Sequence, residues 1–532
     1  MEENSSSASS LPNVAKASAI VMASLLMSRV LGIIREMIMN WKFGQSVETD
    51  AYRLAFQIPD LLFFLIAGGA LSSAFIPVFS EYFHTERKAE AWKIFSSVVT
   101  VMSTLLVGLI SLAWVFAVPL ARLIAPGKDE ATIQMIAEMS RILLPAQFAF
   151  FIGGLMAGTL YVRQVFSIPA LGPNLYNLGI IFGALVISSL VSPAVSGMTW
   201  GATLGAFIGS IALPLWMMRR IGSEFRPSFS LAHPGTRKVF RLMAPVVLGL
   251  SLPSVFPMII QYFASPLGEG VNSAMANANQ LMQAPLGIFG QSLALAVFPA
   301  LSQFFAQKRE DLFEAQLEKS LRQALYLATP VAVLMAIVPA PLIRVLFEHG
   351  QFRAEDTART ALALTAFAVG IVGWCMQPIL MRAYFSIQRT ITPVIMGTVT
   401  TLVFVTLCLV IRGQSYPFFA YPLAGSACAF LLVAMLVAGL KTRFPGLGVA
   451  NLGRTLGLSL FSSLVGIGLV WLTVQVTARL PIVAFIGAFG IACILYAWIY
   501  YFVTKSFHMP EATYLDRAFA RLNRKTPSEP GA

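Results

Sequence analysis

The sequence predicts an all-α polytopic membrane protein. Fourteen transmembrane helices are expected, as two parallel six-helix lobes plus two extra C-terminal helices. Three observations predict it. First, the 532-residue chain is 57% hydrophobic and only 11% charged, with a mean hydropathy of +0.75. Soluble domains of this size are not composed that way. Second, apolar segments of roughly 20 residues or more, enough to cross a bilayer, recur along the whole chain. A transmembrane barrel would show short alternating segments instead. Third, motifs of the first half return in the second at offsets of 222 to 224 residues.

The expected spans are 14–40, 51–80, 91–124, 131–162, 168–191, 198–220, 237–264, 273–305, 312–347, 356–386, 391–412, 420–441, 452–476 and 482–505. The Ser-rich residues 1–13 lack the charged start of a signal peptide and are expected to be a disordered tail. The first apolar run is too long for a cleaved signal and is retained as helix 1. Several spans exceed 25 residues, so helices protrude or tilt. Gly68-Gly69, Pro77, Pro169, Pro173, Pro245, Pro253, Pro257, Pro285, Pro299, Pro330 and Pro393 interrupt the spans. Broken helices suit a moving transporter, although Pro and Gly are common in transmembrane helices generally.

The repeat defines the lobes. Pro119-Leu-Ala-Arg122 returns as Pro341-Leu-Ile-Arg344, Ile76-Pro77 as Phe298-Pro299, and Ser167-Ile-Pro169 as Ile391-Thr-Pro393. Each copy holds six helices, an even number, so both run the same way through the membrane. Such parallel repeats place cargo between the halves of a transporter. The N-lobe is 14–222, a cytoplasmic linker 223–236, the C-lobe 237–446, and the extra helices 447–507. Residues 508–532 form a cytoplasmic tail.

Net charge is +13. In a membrane protein this reflects the positive-inside rule rather than nucleic-acid binding. Assigned to alternate sides of the spans, Lys and Arg divide 25 to 8, the majority lying with the termini. Both termini are therefore expected in the cytoplasm. Arg29, Arg35, Arg53 and Arg141 fall inside spans. Cys375, Cys408, Cys428 and Cys493 lie in apolar segments and read as packing residues. The four histidines are far apart, so no metal site is expected, and no cofactor. No phosphate-binding Gly loop with Lys, His-Glu-x-x-His or Gly-x-Ser-x-Gly motif is present, and no ATPase domain. The chain is expected to transport rather than catalyse.

A charge at membrane depth costs free energy and marks a pathway or a partner. Arg29 and Arg35 lie six residues apart, about 9 Å along a helix and about 120° around it. They could line one broad cavity for an anion, and a guanidinium matches phosphate through paired hydrogen bonds. The alternative is that Arg35 and Glu36 snorkel to water at the helix end. Asp50 reads either as a helix N-terminal acid or as a gate carboxylate pairing with Arg35. In the second copy, Asn279, Gln280 and Gln283 lie on helix 8. They could hydrogen-bond sugars and amides of a cargo, or join helices. Glu36, Asp50, Gly68 and Gly69 are the candidate gating residues.

Ser28-Arg-Val-Leu-Gly-Ile-Ile-Arg-Glu36 resembles the first-helix signature of the MviN/MurJ family of lipid II flippases. Thr49-Asp-Ala-Tyr52, Ile58-Pro-Asp-Leu-Leu62, Ala70-Leu-Ser-Ser-Ala-Phe-Ile-Pro77 and Phe166-Ser-Ile-Pro-Ala-Leu-Gly-Pro173 with Asn177 extend the likeness. The resemblance implies the fold of the multidrug/oligosaccharidyl-lipid/polysaccharide exporter superfamily. It implies a flippase for undecaprenyl-pyrophosphate-linked peptidoglycan precursor in the bacterial cytoplasmic membrane, with Arg29 and Arg35 on the pyrophosphate. It implies a lipid-tail groove at helices 13 and 14. The expected partners are lipid II or a similar polyprenyl-pyrophosphate glycan, membrane lipids, and cell-wall synthesis proteins. The sequence also departs from the family. Phe63-Phe64 replace two arginines, Gly68 a glutamate, Asn279-Gln280 an Asp-Arg pair, and Arg389 an aspartate. A different polyprenyl-linked glycan, or small-molecule antiport, is the alternative those departures suggest.

Overall fold

The computed structural model describes residues 11–66, 74–85, 87–243, 256–414 and 416–513. Among them every ordered element is helical. Ten helices are long and apolar enough to cross a membrane, and a bent pair makes an eleventh. Each of the fourteen expected spans is mainly helical where it is described, with short breaks at Phe56, Phe116, Val186, Val338 and Gly370. Parts of the second and seventh fall outside, including Gly68 and Gly69.

The first helix, α1 (Leu11–Phe43), begins inside the segment expected to be a tail. The second span is broken into α2 (Val47–Ala55), α3 (Gln57–Ile66) and α4 (Ile76–His84). Next come α5 (Lys88–Val115) and the short α6 (Ala117–Ile124), then α7 (Glu130–Val162), α8 (Ser167–Leu185) and α9 (Ser196–Arg220). After residues 234–243 and α10 (Phe256–Ala264) comes α11 (Val271–Ala306). A wide π turn at Leu286–Gln291 follows Pro285 in α11. Proline removes a helical hydrogen bond, and such turns absorb the fault. The remainder is α12 (Glu310–Ile337), α13 (Pro339–Phe347), the bent pair α14 (Ala354–Val369) and α15 (Ile371–Ser386), then α16 (Ile391–Gly413), α17 (Ala420–Lys441), α18 (Val449–Thr477) and α19 (Ile482–Ser506).

The chain forms two compact units. Unit 1 comprises residues up to Ser273 together with Phe347–Asp356. In it α7 is the central helix, packed against α2, α3, α5, α6 and α9. An aromatic cluster of Phe75, Phe79, Trp92 and Phe95 fills one end of its core. A second cluster, richer in alanine, gathers α2, α3, α6, α7 and α9 around Ile58, Ile133 and Leu144. Helices α8 and α9 cross at glycines. A Cβ on Gly179 would lie 2.5 Å from the Gly201 carbonyl oxygen and 2.7 Å from Gly205 Cα. Without hydrophobic drive between helices in lipid, such small residues let backbones approach closely.

Unit 2 comprises the rest, with α12 against α15 and α18, and α18 against α19. Pro330 has no N–H, so the Tyr326 carbonyl four residues earlier has no helical donor. The Tyr500 hydroxyl on α19 donates to that oxygen at 2.7 Å, and the Tyr496 hydroxyl donates to Pro330 O at 2.9 Å. The tyrosines thus dock α19 onto the proline fault of α12. Tyr500→Phe should leave the carbonyl unsatisfied in an apolar setting and cost about 1–3 kcal/mol. Thermal unfolding of the purified protein would read this, and an unchanged midpoint would show that the bond adds nothing.

Candidate functional site

The site grows from the end of α1. Glu36 is 1% exposed. An isolated carboxylate there would be strongly destabilised, and two guanidiniums compensate it. Arg35 donates from Nε (3.1 Å) and Nη2 (2.6 Å) to Oε1. Arg53, arriving from α2, donates to Oε2. The side chains of Arg35 and Arg53 are 20% and 14% exposed. The acid is thus the dry counterion and the arginines reach toward water. Arg35 Nη1 also donates to Asn177 Oδ1 at 3.1 Å. The Asn177 amide in turn donates to Ser28 O and Ser28 Oγ, both at 3.2 Å, and to Pro173 O at 3.1 Å. One turn earlier on α8, Asn174 donates to Ser24 Oγ at 2.6 Å. Two asparagines on α8 therefore fasten the polar side of α1.

The alternative, in which Arg35 and Glu36 snorkel to water at the helix end, does not describe Glu36, which lies in the core of a three-charge nest. The nest carries one net positive charge. Arg29, exposed on the same helix, adds another. Arg35 spends three of its five N–H donors within the nest. It is a held charge, and Arg29 is the more exposed cation.

Asp50 does not pair with Arg35. It sits in the first turn of α2, whose Ser46 N-cap forms a capping box with Thr49. Its side chain is fully buried. It accepts from Lys128 Nζ at 3.2 Å, Gly270 N at 2.9 Å and Ser273 N at 2.8 Å. Ser273 and Thr49 hydroxyls meet at 3.0 Å, and Val47 N donates to Glu269 Oε1 at 3.2 Å. Asp50 therefore caps the first turn of α11 from another part of unit 1. The helix dipole and a lysine both favour its charge there. The turn before α2 relies on Gly44, at φ +59°, where a Cβ would lie 2.7 Å from Gln351 O. Asp50→Asn should keep part of the hydrogen bonding, lose the lysine pair, and lower stability by about 1–3 kcal/mol. A thermal melt beside Lys128→Met should show non-additive losses. Strictly additive losses would mean the pair is not coupled.

In unit 2, Asn279, Gln280 and Gln283 are half-buried on α11. Among the described residues their side chains make no hydrogen bonds, so they do not act as glue between the described helices. Asn277, fully buried, belongs to the packing. Phe63, standing where the family signature has an arginine, is exposed. Arg53, Asn177 and Lys128 were not singled out as site residues from sequence. Arg53 was visible only as a leftover intramembrane cation, and Asn177 only as part of a helix-5 motif. Lys128 had no distinguishing signal.

Chemically, the arginine-rich, net-positive surface of unit 1 favours a multivalent anion, and the unspent amides of unit 2 favour a polar, neutral group. Among solved structures, the fold is similar to an inward-facing multidrug resistance MATE family transporter of the MOP superfamily. The TM-score is 0.65 at 14% identity, covering 80% of this chain and 98% of that one. The two chains share an all-helical, polytopic fold. A structure described as lipid II flippase MurJ in an inward closed conformation matches with a TM-score of 0.78 at 23% identity, covering 92% of this chain and all of that one.

The family model for lipid II flippase MurJ matches residues 39–495, and the chain belongs to that family. A lipid II flippase MurJ of Burkholderia cenocepacia is 31% identical over 399 residues, covering 72% of this chain and 75% of the relative. A probable lipid II flippase MurJ of Bdellovibrio bacteriovorus is 28% identical over 499 residues, covering 90% and 94%.

Proposed function

We propose that this chain flips lipid II, the undecaprenyl-pyrophosphate-linked peptidoglycan precursor, across the bacterial cytoplasmic membrane by alternating access. The observation that carries the reading is the net-positive nest that Arg35 and Glu36 of α1 form with Arg53 of α2, on a helix, α1, that also exposes Arg29. A pyrophosphate is the multivalent anion such a surface suits, because guanidiniums bind phosphate through paired, charge-assisted bonds. Arg29 makes the more exposed contact and Arg35 provides a fixed field. Asn279, Gln280 and Gln283 supply hydrogen bonds to the glycan and peptide. Asp50 is the gating acid, and its bonds to Gly270 and Ser273 break and re-form during the cycle. The 25-to-8 division of cations supports cytoplasmic termini. The repeat supports lobes at 14–222 and 237–446, with 447–507 guiding the lipid tail. The protein acts as a transporter rather than an enzyme. Cell-wall synthesis proteins are its proposed neighbours.

The test is transfer of purified lipid II across vesicles bearing the protein, with and without an imposed membrane potential. Accelerated transfer is expected, whereas a rate equal to protein-free vesicles overturns the reading. A second reading, another polyprenyl-pyrophosphate glycan, is favoured by Phe63 in place of a family arginine. Transfer of a different lipid-linked glycan but not of lipid II would select it.

A further inference from the structure

Unit 2 contains a polar site of its own. Between the middle of α12, the start of α18 and the residues after α19, a depression is lined by Arg322, Asn451, Arg454, Thr455, His508 and Glu511. Glu511 is 2% exposed. Its Oε1 accepts from Arg322 Nε at 2.6 Å and Thr455 Oγ1 at 3.2 Å. Its Oε2 is buried and has no hydrogen-bond partner among the described residues. A carboxylate oxygen so placed calls for a donor, since leaving it unpaired costs its desolvation. Nearby Glu318 is spent on Asn451, Gly448 N and Arg322. Arg454 and His508 are exposed, with no side-chain partner among the described residues.

One helical turn further along α12 the chemistry reverses. From Tyr326 onward a groove of about 290 Å³ runs between α12 and α19, lined by Leu327, Pro330, Val331, Leu334, Cys493 and Ala497. Tyr326, Tyr500 and Met509 pack together, and this cluster is the shared wall between the polar depression and the apolar groove. The tyrosine hydroxyls there are committed to protein partners, so the groove offers an occupant little beyond apolar contact. A cationic rim, a buried acid with an unused oxygen and an adjoining apolar groove together describe an amphiphile with a zwitterionic head.

We propose that this depression and groove form a binding site for an aminophospholipid such as phosphatidylethanolamine. Arg454 and His508 take the phosphate, Glu511 Oε2 accepts from the ammonium, and an acyl chain occupies the groove. Basic pockets between transmembrane helices bind lipid phosphates in general. Glu511 makes this one selective, because its carboxylate attracts an amine and repels a purely anionic head. On the orientation proposed above, the lipid is drawn from the cytoplasmic leaflet.

Native mass spectrometry of the full-length protein in detergent, with phosphatidylethanolamine, phosphatidylglycerol or inorganic phosphate added, tests this. Wild type should hold phosphatidylethanolamine about tenfold more tightly than phosphatidylglycerol. Arg454→Gln should weaken both lipids about tenfold. Glu511→Gln, whose amide oxygen still serves Arg322, should abolish the preference between them. If that variant fails to fold, the wild-type preference and Arg454→Gln decide. Equal binding of the two lipids by wild type, or unchanged binding by Arg454→Gln, overturns the proposal. So does displacement by millimolar phosphate alone. Preferential occupancy by undecaprenyl phosphate would assign the groove to the cargo's prenyl tail, the role proposed above for 447–507, and would overturn the aminophospholipid site while leaving the proposed function standing.

Discussion

Arg29→Ala is expected to abolish rescue of bacteria depleted of their own lipid II flippase while leaving membrane level and thermal midpoint close to wild type. Arg29 is exposed on α1, and truncating such a side chain usually changes stability by no more than about 0.5 kcal/mol. Its effect on an anionic cargo is larger. A charge-assisted hydrogen bond contributes about 1.5–3 kcal/mol, and a bidentate contact with phosphate makes two. Losing about 3 kcal/mol weakens cargo binding roughly 100-fold. Arg35 cannot take over, because three of its donors are engaged by Glu36 and Asn177. With Phe63 where a family arginine would stand, there is less redundancy than the family signature implies. Arg29→Lys should restore growth only in part, since an ammonium cannot reproduce the planar fork. Full growth of the alanine variant at normal expression would remove Arg29 from the cargo site.

Glu36→Ala should have the largest effect on the fold itself. It leaves two guanidiniums beside each other at membrane depth without their shared counterion. Breaking a buried charge cluster by removing one member typically costs 3–5 kcal/mol, and the partial exposure of both arginines places this case near the lower end, about 3 kcal/mol. The expected readouts are a lowered melting midpoint in detergent and reduced membrane level. Glu36→Gln should be milder, since the amide oxygen still accepts from one arginine. The double variant Glu36→Ala, Arg53→Ala should recover part of the loss, because the repulsion goes with the second cation. A double variant no more stable than Glu36→Ala would show that Arg53 owes nothing to Glu36.

The membrane class and the helical spans were legible because twenty-residue apolar runs are a local property of the chain. The same holds for Arg29 and Arg35, which stand out as cations inside such a run. Where residues 51–80 were expected as one span, the described parts are three shorter helices. Asp50 was legible as an acid at a helix start, which it is, but its partner was not. Its distance from Lys128 is 78 residues in sequence and from Gly270 it is 220. No helical period links positions so far apart. Arg35 was nearer in sequence and carried the right sign, yet it already had a carboxylate beside it in Glu36.

Sequence alone determined what kind of solvent surrounds this protein and which helix carries its exceptional charges, because hydropathy and charge are written residue by residue. Tertiary structure alone decided which charges meet. It joined Arg53 to Glu36 across 17 residues and Asn177 to Arg35 across 142, and it gave Asp50 a lysine and a helix end instead of an arginine. The physical reason is that an ion pair at membrane depth depends on distance in space within a low dielectric. Only the packing of α1, α2 and α8, with the turn before α7 and the first turn of α11, brings those groups within hydrogen-bond reach.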